Sequence, residues 1–356
     1  MAVSRLRNII LNASLLVIIG TGLCLGQAPL PGDPAPGPAV ALDILGVVKG
    51  GTPVELLRTD LGGSEGPVAA SDGSLLFMSG STITRVDPQG RFSTYLQDAS
   101  GVTGLAFDTL GRLIGARTDP AQILVLAPHR EVLADTINGV PLLRPNDLTL
   151  DPRGGIYFSD QPRRPGQRPV PERRHGLLYR SPDGIVRQVA DDIKAPNGLV
   201  LSPDGRVLYA ADSYGEFILA YDIQPDGALM NRRNFGKLQG GPIQTATGIQ
   251  RSADGLAIDG DGRLYVASRL GVEVFDPRGR HLGLIRIVGG TGPQNLAFAG
   301  PNKSLLFVVR RSSDLAHSDG GSRLHGAGEV KIEVEILTLA PRQVCRSCGG
   351  ASDEAV

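Results

Sequence analysis

Glu65, Thr103, Asn146, Asn197, Asp254 and Gln294 stand at the same place in six copies of one short pattern. The copies are Ser64-Glu65-Gly66-Pro67-Val68, Val102-Thr103-Gly104-Leu105, Pro145-Asn146-Asp147-Leu148, Pro196-Asn197-Gly198-Leu199, Ala253-Asp254-Gly255-Leu256 and Pro293-Gln294-Asn295-Leu296. All six side chains carry oxygen donors: carboxylates in Glu65 and Asp254, amide carbonyls in Asn146 and Asn197. A donor set without Cys or His suits a hard divalent cation, Ca²⁺ foremost, with Mg²⁺ or Mn²⁺ behind it and Zn²⁺ as a further alternative. Two carboxylates would balance the ion's charge and make its burial tolerable.

Asn-Gly and Asp-Gly are also strong turn dipeptides, so the pattern has a purely structural reading. Three features weigh against it. Separate Gly turns follow five to eight residues downstream in most copies. Asn146-Asp147 and Gln294-Asn295 keep the polar residue without the Gly. Glu is a poor turn former, yet Glu65 fills the same slot.

These residues need elements that bring them together. The period is roughly 40 residues, the length of a propeller blade, and equivalent positions in a ring of blades converge on its axis. Short apolar runs alternate with Gly-centred turns, as in Gly271–Phe275 followed by Asp276-Pro277-Arg278-Gly279, and no helical periodicity outlasts them. The expected fold is therefore all-β: a six-bladed β-propeller of four-stranded blades over residues 53–340. The sixth unit has Ser304–Val309 and the alternating Val330, Ile332, Val334, Ile336, but is one strand short. Pro53–Arg58 can supply it and close the ring by pairing N- and C-terminal strands, removing a free edge. Two segments, Gln161–Gly176 and Leu229–Arg251, read as insertions; the first carries five Arg and one His against a single Glu. It reads equally as a basic lid and as a solvated Pro/Arg-rich loop.

The N-terminus has a different character. Arg5 and Arg7 precede an apolar stretch from Ile9 to Leu25, the layout of a secretory signal peptide over residues 1–26; an uncleaved anchor is the lesser reading. Residues 27–52 read as a Pro-rich spacer, with five Pro between Gln27 and Pro38. Residues 341–356 form a tail with Cys345 and Cys348, read as a local disulfide of an exported protein, with a redox or metal role as the lesser reading. The expected location is periplasmic or secreted, with no membrane contact after cleavage.

Bulk composition narrows the function classes. Of 356 residues 41% are hydrophobic, enough for a large core, and 36 basic residues match 36 acidic ones. A polyanionic partner such as nucleic acid gains no support from that balance, nor from a chain with no Trp and 4% aromatics. None of His129, His175, His281, His317 and His325 falls in a signature, and no Gly-x-Ser-x-Gly motif is present.

The segments Ser64–Val68, Arg144-Pro145-Asn146-Asp147 through Tyr157-Phe158-Ser159-Asp160, Pro196–Leu199 and Ala253–Leu256 resemble the gluconolactonase, or senescence marker protein (regucalcin-like), family, over about Pro53 to Leu339. The resemblance implies a six-bladed propeller with one divalent metal in its central tunnel, acting on small lactone or sugar-derived substrates. It implies Glu65, Asn197 and Asp254 as metal ligands, Asn146 as a metal or substrate contact, Arg144 as a holder of substrate oxygens, and Asp254 as catalytic acid/base. Ala69 departs from the family's frequent aromatic there, and the Arg-rich insertion is a second departure; both bear on the substrate more than on the metal. Two other readings stay open: hydrolysis of phosphotriesters or other esters at the same site, and a non-catalytic ligand-binding propeller with a structural metal.

Overall fold

The computed structural model describes residues 40–62, 64–164, 170, 174–246, 248–287, 292–311 and 331–338. The signal segment, the proline-rich stretch before Val40, half of the basic insertion, and Cys345 and Cys348 lie outside the described residues.

Asp-x-x-Gly-Arg turns set the lengths of the strands. In the second repeat Asp108 Oδ1 accepts from Leu110 N (3.0 Å) and Arg112 N (2.8 Å), and Arg112 Nε donates to Asp108 Oδ2 at 2.7 Å. Gly111 sits at φ 75°, a left-handed conformation that side chains other than hydrogen resist. Asp87–Arg91 and Asp276–Arg280 build the same clasp. Each one reverses the chain after an apolar run of five to seven residues, so the runs pair as antiparallel strands.

The fold is an all-β propeller. Among the described residues the strands form six four-stranded antiparallel sheets, besides two small two-stranded hairpins. In five sheets the strands follow chain order outward from the signature; the innermost are Ser64–Ala69, Val102–Phe107, Pro145–Leu150, Pro196–Leu201 and Ala253–Ile258. The sixth sheet runs Asn295–Ala299, Leu305–Arg311, Lys331–Thr338 and then Val54–Gly62, from the other end of the described chain. Val54 pairs with Leu337 and Gly62 with Lys331, interrupted by bulges near Arg58. The candidate strand Pro53–Arg58 thus extends four residues further, to Gly62.

Packing links each sheet to the next. One hydrophobic cluster joins Leu76 and Met78 of the first sheet to Leu105, Leu113 and Leu124 of the second. Others join the second to the third, the third to the fourth, the fourth to the fifth and the fifth to the sixth. A sixth joins Ala299, Phe307 and Val309 of the last sheet to Leu75 and Phe77 of the first. Each fully buried Leu, Ile or Phe contributes about 1.5–3 kcal/mol of hydrophobic transfer.

Two expectations are corrected. Leu229–Lys237, read as the start of an insertion, is the outermost strand of the fourth sheet. Its residues from Met230 to Asn234 are exposed, so no apolar alternation marks it. Residues 40–52, assigned to the spacer, fold back through a Val40–Pro53 bridge and bury Ala41, Ile44, Val47 and Val48 against the fifth and sixth sheets.

Candidate metal and substrate site

The six signature residues are neighbours in cyclic order. Thr103 O lies so close to Gly66 that a Cβ there would stand 2.8 Å from it. Thr103 Oγ1 donates to Asn146 O at 2.7 Å. Leu199 N, two residues past Asn197, donates to the carboxylate of Asp147 at 3.3 Å. A Cβ on Gly198 would meet Asp254 O at 2.4 Å. Gly255 N donates to Gln294 O at 2.8 Å, and Gln294 Nε2 donates to Glu65 Oε1 at 2.9 Å. The glycines at these crossings have a steric cause: the inner strands approach so closely that no side chain fits between them.

The donors are half-buried or buried. Asn197 is 2% exposed, Gln294 8% and Asp254 9%; Glu65, Thr103 and Asn146 are intermediate. Two amides have their nitrogen ends already engaged, Asn197 Nδ2 with Ser213 Oγ at 3.0 Å and Gln294 Nε2 with Glu65. Ser213 Oγ in turn donates to Ala253 O at 2.9 Å, which anchors the pair on the next sheet. Gln294 Oε1 is buried and accepts no hydrogen bond. A buried carbonyl oxygen without a donor costs about 1–3 kcal/mol, and a cation would satisfy it. Among the described residues no three His, Cys, Asp or Glu cluster as a metal set; two carboxylates supplemented by amide oxygens are the donors present, and they fit an oxygen-seeking ion.

Arg144, two residues before Asn146, is held by its own local partners. Asp160, itself fully buried, accepts Leu143 N (3.0 Å) and Arg144 N (2.6 Å), and Arg144 Nε donates to Pro162 O at 3.1 Å. The fourth sheet repeats the device: Asp212 accepts Ala195 N at 3.0 Å and Lys194 N at 3.2 Å, fixing the backbone just before Asn197. Burial, with the neighbouring charges of Arg164 and Arg251, lowers the Arg144 guanidinium to about 10. Arg251 Nη1 lies 3.6 Å from Asp254 Oδ2. Arg251 thus sets a basic group beside the Asp254 carboxylate.

Burial pushes the Asp147 carboxyl up to about 7; bonds from Leu148 N and Leu199 N oppose the rise, and the Asp254 charge adds to it. Asp147, Asn295, Arg251 and Ser213 were not singled out as functional from sequence, and Gln294 stood among the six oxygen donors without a role of its own. Asp147 and Asn295 had a visible signal, as the two side chains in a column otherwise filled by Gly66, Gly104, Gly198 and Gly255. Ser213 and Arg251 had none.

Comparison with known proteins agrees with this architecture. The profile described as SMP-30/Gluconolactonase/LRE-like region matches residues 63–311. A gluconolactonase of Zymomonas mobilis is 28% identical over 285 residues, covering 72% of this chain and 78% of that protein. A solved gluconolactonase from Xanthomonas campestris superposes with a TM-score of 0.66 at 25% identity, covering 84% of this chain and 94% of the other. A calcium-binding protein, regucalcin, from Agrobacterium tumefaciens superposes at 0.60 with 18% identity, covering 80% and 95% of the two chains.

Proposed function

The chain belongs to the SMP-30/gluconolactonase/LRE-like family, and on that premise we propose that it is a divalent-metal-dependent lactonase. One observation supports the reading: Gln294 Nε2 is engaged by the Glu65 carboxylate while Gln294 Oε1 is buried without a donor, an oxygen left for a cation beside that carboxylate. Glu65, Asn146, Asn197 and Asp254 would hold the ion, Ca²⁺ by the character of the donors. The six sheets are read as six blades of a ring latched by the strand Val54–Gly62, a reading supported by the cyclic succession of inner strands and clusters.

A cation held there would supply Lewis acidity toward the lactone carbonyl. Asp254, at the ring and mostly buried, takes the proton of the attacking water and returns it to the ring oxygen as the C–O bond breaks. Arg144, clamped by Asp160 and Pro162, donates to the ring substituents and holds the carbonyl carbon in line. Asn146, on the same strand, orients the substrate or completes the ion's shell. The product is the open-chain hydroxy acid. The protein acts outside the cytoplasm, in the periplasm or secreted, once residues 1–26 are removed.

The test is metal content and hydrolysis measured together on Asp254→Ala and Glu65→Ala. Both should lose bound divalent ion and turnover of a lactone panel. Undiminished turnover in either variant would refute the proposal. Turnover of phosphotriesters or open-chain esters in preference to lactones would move the chemistry to that class. Ion-dependent thermal stability without any turnover would favour a ligand-binding propeller.

A further inference from the structure

Arg251 Nη1 lies 3.6 Å from Asp254 Oδ2, longer than a hydrogen bond. It reaches that carboxylate from the solvent side, since the Arg251 side chain is 47% exposed and the Asp254 side chain 12%. The backbone next to it is firmly held. Ser252 is fully buried; its N–H donates to Ser213 O at 2.9 Å and its hydroxyl to Gly215 O at 2.7 Å, while Ser252 O accepts Arg269 N at 3.1 Å. Ser213 is also the residue whose Oγ accepts from Asn197 Nδ2. Arg251 therefore adjoins a joint between the fourth and fifth sheets that holds Asn197 as well, and its guanidinium stands over Asp254.

Two more arginines at the signature ends of the sheets have an N–H group without an acceptor. Arg269 follows the second strand of the fifth sheet, beside Ser252, and its Nε is buried with no hydrogen-bond partner among the described residues. Arg163, just past the second strand of the third sheet, donates Nη2–H to Leu142 O at 3.2 Å, and its Nε is buried in the same state. A buried donor left empty costs about 1–3 kcal/mol, and an anionic oxygen would fill it. The acids at the ends of the second strands in the third and fourth sheets are occupied with backbone: Asp160 accepts Leu143 N and Arg144 N, and Asp212 accepts Lys194 N and Ala195 N.

Charge balance then bears on what enters. A divalent cation held by Glu65 and Asp254 would neutralise both carboxylates, and a positive ion beside Asp254 repels the Arg251 guanidinium. Arg251 then turns to another acceptor on its exposed side, where a substrate arrives. A neutral sugar lactone offers only hydroxyls there. A carboxylate or phosphate offers charge-assisted, two-pronged bonding that matches the guanidinium fork. Resting on the lactonase reading above, we propose that the substrate is a lactone carrying an anion of its own, a carboxylate or phosphate away from the ring carbonyl, and that Arg251 is the substrate-binding residue that takes it.

The test uses the full mature chain and three variants: Arg251→Gln, Arg251→Lys and, as a control for net charge, Arg278→Gln, an exposed arginine on the turn at the opposite end of the fifth sheet. Each is given gluconolactone, the lactone of glucaric acid and 6-phosphogluconolactone at saturating Ca²⁺. The parent should favour at least one anionic lactone over gluconolactone by about 10- to 100-fold in kcat/KM, the range for a hydrogen bond to a charged group. The preference should reside mainly in KM and shrink as salt is raised; the better of the two substrates names the anion. Arg251→Gln should lower the preference about tenfold or more, Arg251→Lys should lower it less, and Arg278→Gln should keep it. Calorimetry on chelator-stripped protein should show Ca²⁺ affinity undiminished in Arg251→Gln, because a positive neighbour of the ion has gone. A parent without the preference, or an Arg251→Gln variant that retains it, would overturn the proposal. So would weaker Ca²⁺ binding in that variant, which would make Arg251 a support of the ion site instead. A parent that opens no lactone refutes the lactonase reading, and the anion site is then judged by calorimetry with sorbitol, gluconate and sorbitol 6-phosphate. Binding of either anion about tenfold or more tighter than sorbitol, lost in Arg251→Gln, upholds the site; equal binding of all three refutes it.

Discussion

Gln294 Nε2 donates to Glu65 Oε1 across 229 positions of sequence, joining the last signature to the first. The bond spends the amide's nitrogen on the carboxylate and leaves Gln294 Oε1 buried beside it without a donor. Gln294→Leu keeps the volume and removes both ends. It should weaken divalent-ion binding roughly 10-fold or more, as loss of an outer partner does, and calorimetry on metal-free protein checks it.

Gly198 faces Asp254 O so closely that a Cβ would stand 2.4 Å away, against backbone that cannot swing aside. Gly198→Ala should therefore cost about 1–3 kcal/mol, the range for overpacking, and impair ion binding by pushing the fourth and fifth inner strands apart. Gly241 is the control, because a methyl added there would meet nothing within 4 Å. Gly241→Ala should leave the denaturation midpoint within experimental error.

Arg144 Nε donates to Pro162 O while Asp160 pins its backbone N–H. A lysine has the charge but neither the fork nor the Nε–H. Arg144→Lys should raise KM for a lactone about 10-fold or more, by loss of a charge-assisted hydrogen bond worth about 1.5–3 kcal/mol. Ca²⁺ affinity should stay within about twofold. Steady-state kinetics and calorimetry on one preparation separate the two.

Asp151, 3% exposed, accepts Arg153 N at 2.8 Å and the Tyr179 hydroxyl at 2.9 Å. Burial pushes its carboxyl up, but the bonds from Arg153 and Tyr179 outweigh burial and hold it below 3.8. A carboxylate lowered on folding stabilises the protein above its unfolded pKa of about 3.9, and that stability is lost as pH falls through the folded value. Denaturation midpoints should drop on acidification below about pH 4. Asp151→Asn should start less stable at pH 7 and show a shallower decline over the same range.

Much of the architecture was legible because local chemistry repeats. The Asp-x-x-Gly-Arg turns, the apolar runs between them and the signature at each inner strand are short-range features. Gly271–Phe275 therefore matches its strand end for end, and the segment beginning at Pro53 takes the place the sixth sheet lacked. Leu229–Lys237 escaped notice because an outermost strand facing solvent needs no apolar alternation. Ala41 to Val48 escaped because Pro and Gly around them look like a linker, while the surface they cover lies more than 200 residues away in sequence.

By itself the amino-acid sequence determined the inventory: six oxygen-bearing positions, two of them carboxylates, each at the head of a strand, and four glycines beside them. Which of those groups touch was decided only by tertiary structure. Gly198 meets Asp254, and Gln294 turns its nitrogen to Glu65, because neighbouring sheets pack around common clusters, the last against the first. Hydrogen-bond partnership depends on distances of a few tenths of an ångström. Residue type and spacing along the chain carry no such information until the sheets have met.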